Sequence, residues 1–318
     1  MCLTVLALDA SRQFPLVVAA NRDEYFARSA TRLAWWTPEA APHQILAGRD
    51  VQGGGTWMGL TAEGRLALVT NIRKPHQVDT SAPTRGRIVP AWLRGDMAAD
   101  RFWPHVALSG HEPFNLIAAD FRAGDCFWAS SERACPQRIE RGIVGLSNGR
   151  LDEPWPKVAE LKKAVQQGLD MARSVDELAN HLFAALANRR AAPDAALPKT
   201  GVSLDLERML SPAFIRSADG LYGTRCSTLI VTERVGKRLT THVLERTFTA
   251  GPGVALLRRA SLKDWPPKYR LDDSSGEPDL PVEAGPVSDS ELVEHAPLAE
   301  SAAPKRRVRS LLRPAGKL

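Results

Sequence analysis

Residues 1–24 read MCLTVLALDASRQFPLVVAANRDE, and this stretch decides how the chain begins to fold. Two apolar runs, residues 3–8 and 15–20, flank a polar turn and predict two buried strands. The stretch is not typical of a signal peptide, because it has no basic start and because Asp9 and Arg12 interrupt its apolar residues. The sequence therefore predicts a chain whose second residue, a cysteine, lies at the start of a strand.

The composition indicates an ordinary globular protein of 318 residues, with 44% apolar and 25% charged residues. No run of 18 apolar residues is present, so we expect no transmembrane segment. The net charge of +6 is small for a nucleic-acid-binding surface, and we expect no nucleic-acid partner. The four cysteines include no C-x-x-C pair, which predicts no metal site and favours a reducing, cytoplasmic location.

The composition changes near residue 262. Residues 271–303 hold nine acidic residues and no Lys or Arg, and residues 304–318 hold six basic residues and no acidic one. Such a segment buries too little apolar surface to offset the entropy of ordering it. We predict a folded domain over 1–262 and a largely disordered Pro-rich, acidic linker with a basic end over 263–318. The basic end could contact an acidic surface, although charge blocks are usually just solvated.

The rest of the pattern predicts α+β structure. Three hairpins are indicated by β-rich runs around turns: 56–61 with 65–70, 114–120 with 126–130, and 228–232 with 239–244. Apolar residues at helical spacing predict helices over 87–93, 156–168 and 175–187. Ser174 and Glu177 have the spacing of a capping box for the last of these. Hairpins interspersed with helices favour mainly antiparallel sheets.

Cys2 is the most informative residue for chemistry. If Met1 is removed, one residue carries both a thiol and a free α-amine, whose ordinary pKa of roughly 7.7–8.0 suits a general base. The amine can take the thiol proton, and the thiolate is a nucleophile. The alternative is a small buried cysteine that merely starts a strand.

Four polar residues, Asn21-Arg22-Asp23-Glu24, follow the second apolar run. At a strand end they would form the edge of a site, where Arg22 would lower the pKa of a neighbouring thiol and Asp23 would orient an amine. A salt-bridged loop is the alternative.

A glycine-rich stretch covers residues 50–59 and contains Gly54, Gly55 and Trp57. A phosphate-binding loop would lead into a helix, whereas here a strand is predicted to follow. The glycines more plausibly let a backbone approach a ligand or another strand closely. Trp57 would be the wall of a pocket or ordinary core.

Asn71 and Asn148 lie at the ends of predicted strands. A side-chain amide in such a place can donate to a developing oxyanion, although a role in a turn is equally common. Arg225 begins another predicted strand.

Motifs along residues 1 to about 260 resemble those of the NRDE family, which is named for the tetrad 21–24. Its eukaryotic members are called transport and Golgi organisation protein two. The matching motifs are Met-Cys-Leu at 1–3, Asn-Arg-Asp-Glu at 21–24, Ala-Gly-Arg-Asp at 47–50, Gly-Gly-Thr-Trp at 54–57, Thr-Asn-Ile-Arg at 70–73, Arg-Gly at 85–86, Phe-Asn-Leu at 114–116, Gly-Leu-Ser-Asn at 145–148, Leu-Asp-Glu-Pro-Trp-Pro-Lys at 151–157 and Tyr-Gly-Thr-Arg at 222–225. The resemblance implies a four-layer αββα sandwich of the N-terminal-nucleophile (Ntn) hydrolase type, with two mainly antiparallel sheets between helix layers.

The family is also distantly similar to the choloylglycine-hydrolase branch of that superfamily, which implies roles for individual residues. Cys2 would be nucleophile and base, and Arg22 and Asp23 would set its ionisation. Oxyanion binding would fall to Asn71 and Asn148. Beyond these, the expected participants are Arg225 in the charge network and, as ligand-binding residues, Asn21, Glu24, Gly54, Gly55, Trp57 and Arg73. In this chain Arg22 and Asp23 are adjacent, whereas that branch spaces them apart.

Two functions follow from the resemblance. In the first, the protein is a cysteine amidohydrolase that cleaves a non-peptide C–N amide bond and needs no cofactor. In the second, it is a non-catalytic carrier that takes part in haem trafficking or binds acyl-coenzyme A or another lipid, in a pocket lined by Trp35, Trp36 and Trp57.

Haem iron would then be ligated by Cys2 or a histidine. No spacing selects among His43, His76, His105 and His111, and Cys135-Pro136 is only a weak haem-binding dipeptide.

Overall fold

The computed structural model describes residues 2–39, 41–75, 79, 81–251 and 255–266. The strands, in chain order, are β1 (Cys2–Leu8), β2 (Leu16–Tyr25), β3 (Ala30–Trp36), β4 (Ile45–Asp50), β5 (Met58–Thr61), β6 (Arg65–Asn71), β7 (Phe114–Asp120), β8 (Asp125–Ser130), β9 (Gln137–Arg138), β10 (Gly142–Leu146), β11 (Tyr222–Val235), β12 (Arg238–Thr247) and β13 (Leu256–Lys263). The helices are α1 (Ile88–Leu93), α2 (Ala99–Ala107), α3 (Pro156–Met171), α4 (Val175–Leu186) and α5 (Leu204–Met209).

The strands form two antiparallel sheets. The first has the order β10-β1-β2-β11-β12-β13, so the first and last described strands belong to one sheet, separated by β2, β11 and β12. The second has the order β3-β4-β5-β6-β7-β8-β9, in which neighbours in sequence are also neighbours in space. The second sheet therefore forms from local hairpins, whereas β2 and β11 in the first sheet must meet across about 200 residues.

Side-chain alternation along β1 builds two cores at once. Leu3, Val5 and Ala7 pack with residues of α3 and α4. Leu6, on the other face, packs with apolar residues of the second sheet. A third apolar cluster joins the outer face of the second sheet to α1 and α2, with Trp92 buried in it. The order of layers is helices, sheet, sheet, helices, which confirms the predicted αββα sandwich.

The local predictions are mostly confirmed. All three hairpins form, and the third is longer than predicted because β11 and β12 extend well beyond the apolar runs. The helices lie close to the predicted bounds. Ser174 Oγ accepts from the backbone N–H of Glu177 at 3.2 Å, as a capping box requires. The Glu177 carboxylate, however, accepts from the N–H of Arg173.

The folded region extends past the predicted boundary at residue 262. Trp265 is buried between the sheets, where its indole N–H donates to the carbonyl of Thr61 at 2.8 Å. The Thr241 hydroxyl donates to the Trp265 carbonyl. A large apolar side chain whose N–H is satisfied belongs to the core, so the described structure continues past residue 262 to residue 266. The predicted acidic and basic tail, 271–318, lies outside the described residues.

None of the helices in the described part of the chain combines the length and apolar character needed to cross a bilayer.

Candidate functional site

The tetrad 21–24 lies inside strand β2, not after it as the sequence suggested. Strand β11 continues alongside to its first residue, Tyr222, which pairs with Tyr25, so the tetrad's backbone stays within the sheet. Strand alternation then sends successive side chains to opposite faces. The tetrad thereby supplies polar groups to both the helix layer and the space between the sheets.

Asn21 faces the helix layer and is fully engaged there. Its amide donates to the carbonyls of Leu186 at 2.9 Å and Ala213 at 2.8 Å, and its side-chain oxygen accepts from Ser227 Oγ at 2.6 Å. These bonds tie β2 to the end of α4 and to β11. Asn21 therefore holds the fold together, which differs from the predicted ligand-binding role.

Residue 2 lies beside Arg22 in the sheet. The register of β1 and β2 opposes Cys2 to Arg22, and that of β2 and β11 opposes Cys226 to Arg22. On the other side of β1, Thr4 pairs with Leu146, so Asn148 follows two residues later, close to the start of β1. Directly opposed residues of antiparallel strands share a face. Position 2 is therefore directly opposed to Arg22 in the sheet register.

Arg22 connects the two sheets. Its guanidinium is buried and lies 4.4 Å from the centre of the Trp57 ring, with Glu24 and Asp50 carboxylate oxygens each 3.8 Å away. Arg28 completes this cluster through a 2.6 Å ion pair with Asp50. The predicted neighbours Arg22, Glu24 and Trp57 are thus brought together. Asp50, which belongs to the Ala-Gly-Arg-Asp motif but was given no role, is their further acidic partner.

Asp23 is buried on the opposite face from Arg22. Its Oδ1 accepts from the Thr224 hydroxyl at 2.7 Å. Burial raises the pKa of this carboxyl, while the charges of Lys157, of the amino terminus and of Arg22 oppose the rise. Asp23 is thus a buried carboxyl on the helix side of β2, held by Thr224.

The glycine-rich loop packs closely against another segment of backbone. A Cβ on Gly55 would lie 2.1 Å from the carbonyl oxygen of Gly86, and Gly54 has a positive φ of 71°. Asp50 Oδ1 accepts from the N–H groups of Gln52 and Gly53. Of the two predicted uses of these glycines, close approach to another backbone segment is the one observed.

Asn71 and Asn148 are brought together at the end of the sandwich. Asn148 Nδ2 donates to the backbone oxygen of Asn71 at 2.9 Å and to its side-chain oxygen at 3.0 Å. The N–H of Arg73 donates to the Asn148 carbonyl at 2.7 Å. Both N–H groups of Asn148 are used in this way, so its side chain orients Asn71, whose own amide nitrogen then points away from that contact.

Arg225 lies at a β-bulge between Thr224 and Cys226. Its Nη1 donates to the carbonyls of Tyr25 at 2.7 Å and Arg28 at 2.8 Å. Burial lowers the pKa of this guanidinium, and the nearby charge of Arg22 acts in the same direction. Arg225 therefore holds the loop after β2, near the charge network in which the family resemblance places it.

Arg73 belongs to a buried cluster on the helix side. Its Nη1 lies 2.5 Å from Glu207 Oε2, and its guanidinium is 4.7 Å from the centre of the Trp155 ring. The second Glu207 oxygen accepts from the N–H and hydroxyl of Thr200. Burial lowers the pKa of Arg73, which the charge of Glu207 opposes. Sequence reasoning missed Glu207 because nothing local links it to residue 73.

Two small cavities lie between the sheets beside Trp57. Their volumes are about 10 and 20 Å³, which is room for about one water molecule each. Trp35 and Trp36 line neither of them; the Trp36 indole N–H donates to Ala47 and its ring contacts Arg49. Neither of these two cavities is therefore lined by all three tryptophans of the predicted pocket.

No group of three or more His, Cys, Asp or Glu side chains within the described ranges could hold a metal ion. Imidazole nitrogens of His43 and His111 contact backbone carbonyls, of Leu93 and Pro83 respectively. His76 lies outside the described residues.

The family model and the curated relatives that match this chain agree on one family. The model of the family described as Transport and Golgi organisation 2 matches residues 1–250. The Bos taurus Transport and Golgi organization protein 2 homolog is 33% identical over 256 residues, which cover 74% of this chain and 90% of that protein. The Homo sapiens homolog is 31% identical over 252 residues, with the same coverage.

Among solved structures, a Caenorhabditis elegans N-acylethanolamine-hydrolyzing acid amidase ortholog aligns with a TM-score of 0.42 and 11% identity. The alignment covers 72% of this chain and 92% of that one.

Proposed function

The chain belongs to the Transport and Golgi organisation 2 family, and from this premise we propose that it is a cysteine amidohydrolase whose nucleophile is Cys2. The observation that carries the proposal is the sheet register, which opposes Cys2 to the buried Arg22 on one side and brings Asn148 close on the other. The substrate is a non-peptide C–N amide, and no cofactor is required.

The reaction uses residue 2 as a self-contained unit once Met1 has been removed. The α-amine takes the thiol proton, and the thiolate attacks the amide carbonyl to form a tetrahedral oxyanion. The protonated amine then gives its proton to the leaving nitrogen as the C–N bond breaks, which leaves a thioester. Water, deprotonated by the same amine, cleaves the thioester and releases the acid.

The surrounding residues have distinct roles in this scheme. Arg22, directly opposed to position 2 in the sheet register, stabilises the thiolate. Asp23, the residue after the partner of Cys2 in the sheet and on the other face of β2, holds the amine. Asn71 donates its amide to the oxyanion, and Asn148 fixes the orientation of Asn71. Asn148 is thus a positioning residue.

Intact mass spectrometry tests the proposal directly. The intact mass of the purified chain is measured before and after incubation with p-nitroanilides of short and medium-chain acids. Released p-nitroaniline is followed by absorbance. We expect Met1 to be absent, an acyl adduct confined to residue 2, and p-nitroaniline release that the Cys2→Ala variant lacks.

Retention of Met1 would defeat the proposal, because the α-amine would belong to the wrong residue. An unacylated chain that instead develops a Soret band with haem would favour the carrier function.

A further inference from the structure

Arg73 and Trp155 form a buried contact that contains more hydrogen-bond donors than acceptors. The Arg73 side chain is 2% exposed, yet its Nε and Nη2 have no hydrogen-bond partner within the described structure. The indole N–H of Trp155, a residue 5% exposed, has none there either. Buried donors are nearly always satisfied, so three on two touching side chains indicate that an acceptor-rich group belongs there.

The geometry of the vacant donors is specific. Glu207 takes Nη1, which leaves Nε and Nη2, the side of the guanidinium that presents two parallel N–H groups to a carboxylate or phosphate. The N–H groups of Nε and Nη2 are named the Arg73 fork. Because Glu207 is itself held by Thr200, the fork has a fixed orientation.

A second arginine of the chain shows what a purely structural arrangement looks like. Arg65 also lies over a tryptophan, at 4.5 Å from the Trp92 ring, and also pairs with an acid, Asp120. There, however, Nε donates to Asp120 and Nη1 donates to the carbonyls of Trp92 and Met97. The donors of Arg65 thus find acceptors within the protein, whereas Nε and Nη2 of Arg73 have no acceptor in the described structure.

The start of helix α3 adds to the positive potential at this point. Trp155 is the residue before the first turn of this 16-residue helix, and no side chain caps that end. The first turn contains no acidic residue. The N-terminus of a helix of this length favours an anion.

The buried ion pair limits the charge that the fork can take. Arg73 is already paired with Glu207, so this pair carries no net charge. A doubly charged phosphate would leave more uncompensated charge in this buried place than a singly charged carboxylate.

We infer that the Arg73 fork and the Trp155 indole bind a carboxylate of the substrate, so that the protein acts on amides that carry a carboxylate group. This inference rests on the proposed function. The N–H of Arg73 bonds to Asn148, which orients Asn71, so the fork is linked through two hydrogen-bonded residues to the proposed oxyanion donor.

Binding without turnover tests the inference. The Cys2→Ala full-length chain is titrated calorimetrically with two matched pairs: N-hexanoylglycine against N-hexanoylglycinamide, and N-ethylsuccinamate against N-ethylsuccinamide. The pairs place the carboxylate on either side of the amide. We expect one carboxylate to bind roughly 10–100-fold tighter than its neutral partner, as a charge-assisted bidentate pair provides.

Variants in the same background identify the residue. R73Q/E207Q removes both charges of the buried pair and keeps its hydrogen bonding, and we expect it to lose the preference. Arg65→Lys is the matched control and should retain it.

Equal affinity within both pairs, no binding at millimolar concentration, or a preference that survives in R73Q/E207Q would overturn the inference. So would tighter binding of N-hexanoylaminomethylphosphonate than of N-hexanoylglycine. A carboxylate preference in a chain whose wild type hydrolyses nothing would instead refute the proposed function and leave the carboxylate site standing.

Discussion

Arg22 and Asp23 are neighbours in the chain but lie on opposite faces of strand β2. Arg22 contacts Trp57 between the sheets, and Asp23 bonds to Thr224 on the helix side. Residue 2, in the adjacent strand, pairs with Arg22. In the proposed mechanism the two charges therefore act on different groups, with Arg22 acting on the thiol and Asp23 on the amine.

This division predicts how Arg22 affects the reactivity of residue 2. Arg22→Gln removes the positive charge opposed to residue 2 in the sheet, so the thiolate should form less readily and alkylation at neutral pH should slow, while Arg22→Lys should change it less. The measurement is the rate of iodoacetamide alkylation of residue 2 against pH, followed by mass spectrometry.

The exposed Cys135 is replaced by serine throughout, and burial raises the pKa of Cys126 to about 12, so that thiol should not react. Identical pH profiles for all three chains would show that Arg22 does not act on the thiol.

The Asn71–Asn148 contact predicts unequal effects of removing each amide. Asn71→Ala should slow acylation of residue 2 by about 10²–10³-fold, as loss of one oxyanion donor typically does, without unfolding the chain. Asn148→Ala should slow it less and also destabilise the fold by about 1–3 kcal/mol, since two Asn71 oxygens lose their donor. Acylation rates by mass spectrometry and urea denaturation give the two quantities.

Asn188→Ala, at a partly exposed position after α4, serves as the control. Wild-type acylation in Asn71→Ala would remove Asn71 from the mechanism.

Glu245 predicts a pH-dependent stability. It is buried between the sheets, where its carboxylate accepts from the Leu33 N–H at 2.8 Å and the Thr228 hydroxyl at 3.2 Å. Burial raises its pKa above the ordinary 4.5, although these hydrogen bonds and the charges of Arg258 and Arg22 oppose the rise. The folded chain therefore holds this proton more tightly than the unfolded chain. The stabilisation is full below pH 4.5 and is lost as the pH rises through the folded-state pKa.

Glu245→Gln should remove this loss of stability at rising pH, because Gln carries no titratable proton. Its advantage in unfolding free energy over the wild type should grow with pH, by up to about 1.4 kcal/mol per unit until the folded-state pKa is passed. Urea denaturation from pH 4.5 to 8 measures the difference. A difference that is constant over this range would contradict the shift.

Two adjacent glycines should differ in their tolerance of alanine. Gly55→Ala places a methyl group against the backbone of Gly86 and should cost about 3 kcal/mol of stability. Gly54→Ala meets open space and only strains a positive φ, so about 1 kcal/mol is expected. Urea denaturation compares the two, and equal costs would show that the Gly55–Gly86 approach is not required.

Local signals in the sequence were sufficient for the elements that form locally. The hairpin around Gly64 and the capped helix α4 depend on residues close together in the chain, and both form as predicted. The extension of β2 through the polar tetrad depends instead on β11, about 200 residues away. Polarity alone therefore suggested a loop where the structure has a strand. β13 escaped prediction because its side chains are mostly only half buried.

Local sequence signals were likewise insufficient to predict the whole site. The motifs pointed to Cys2, Arg22, Asp23, Asn71 and Asn148, and the fold gathers these at one end of the sandwich. The partners that complete their environments, Thr224, Lys157 and Glu207, lie far away in sequence. Only the assembled layers bring them into contact, so their roles could not be read from spacing.

The burial of Trp265 has a practical consequence. Strand β13 runs from Leu256, beside Thr247, to Lys263, beside Thr240, so the chain passes Trp265 at the end of the sheet away from residue 2. The last described residues therefore lie at the opposite end of the sheet from residue 2. In the proposed mechanism, a tag fused ahead of Met1 would place the α-amine of residue 2 in a peptide bond and abolish activity.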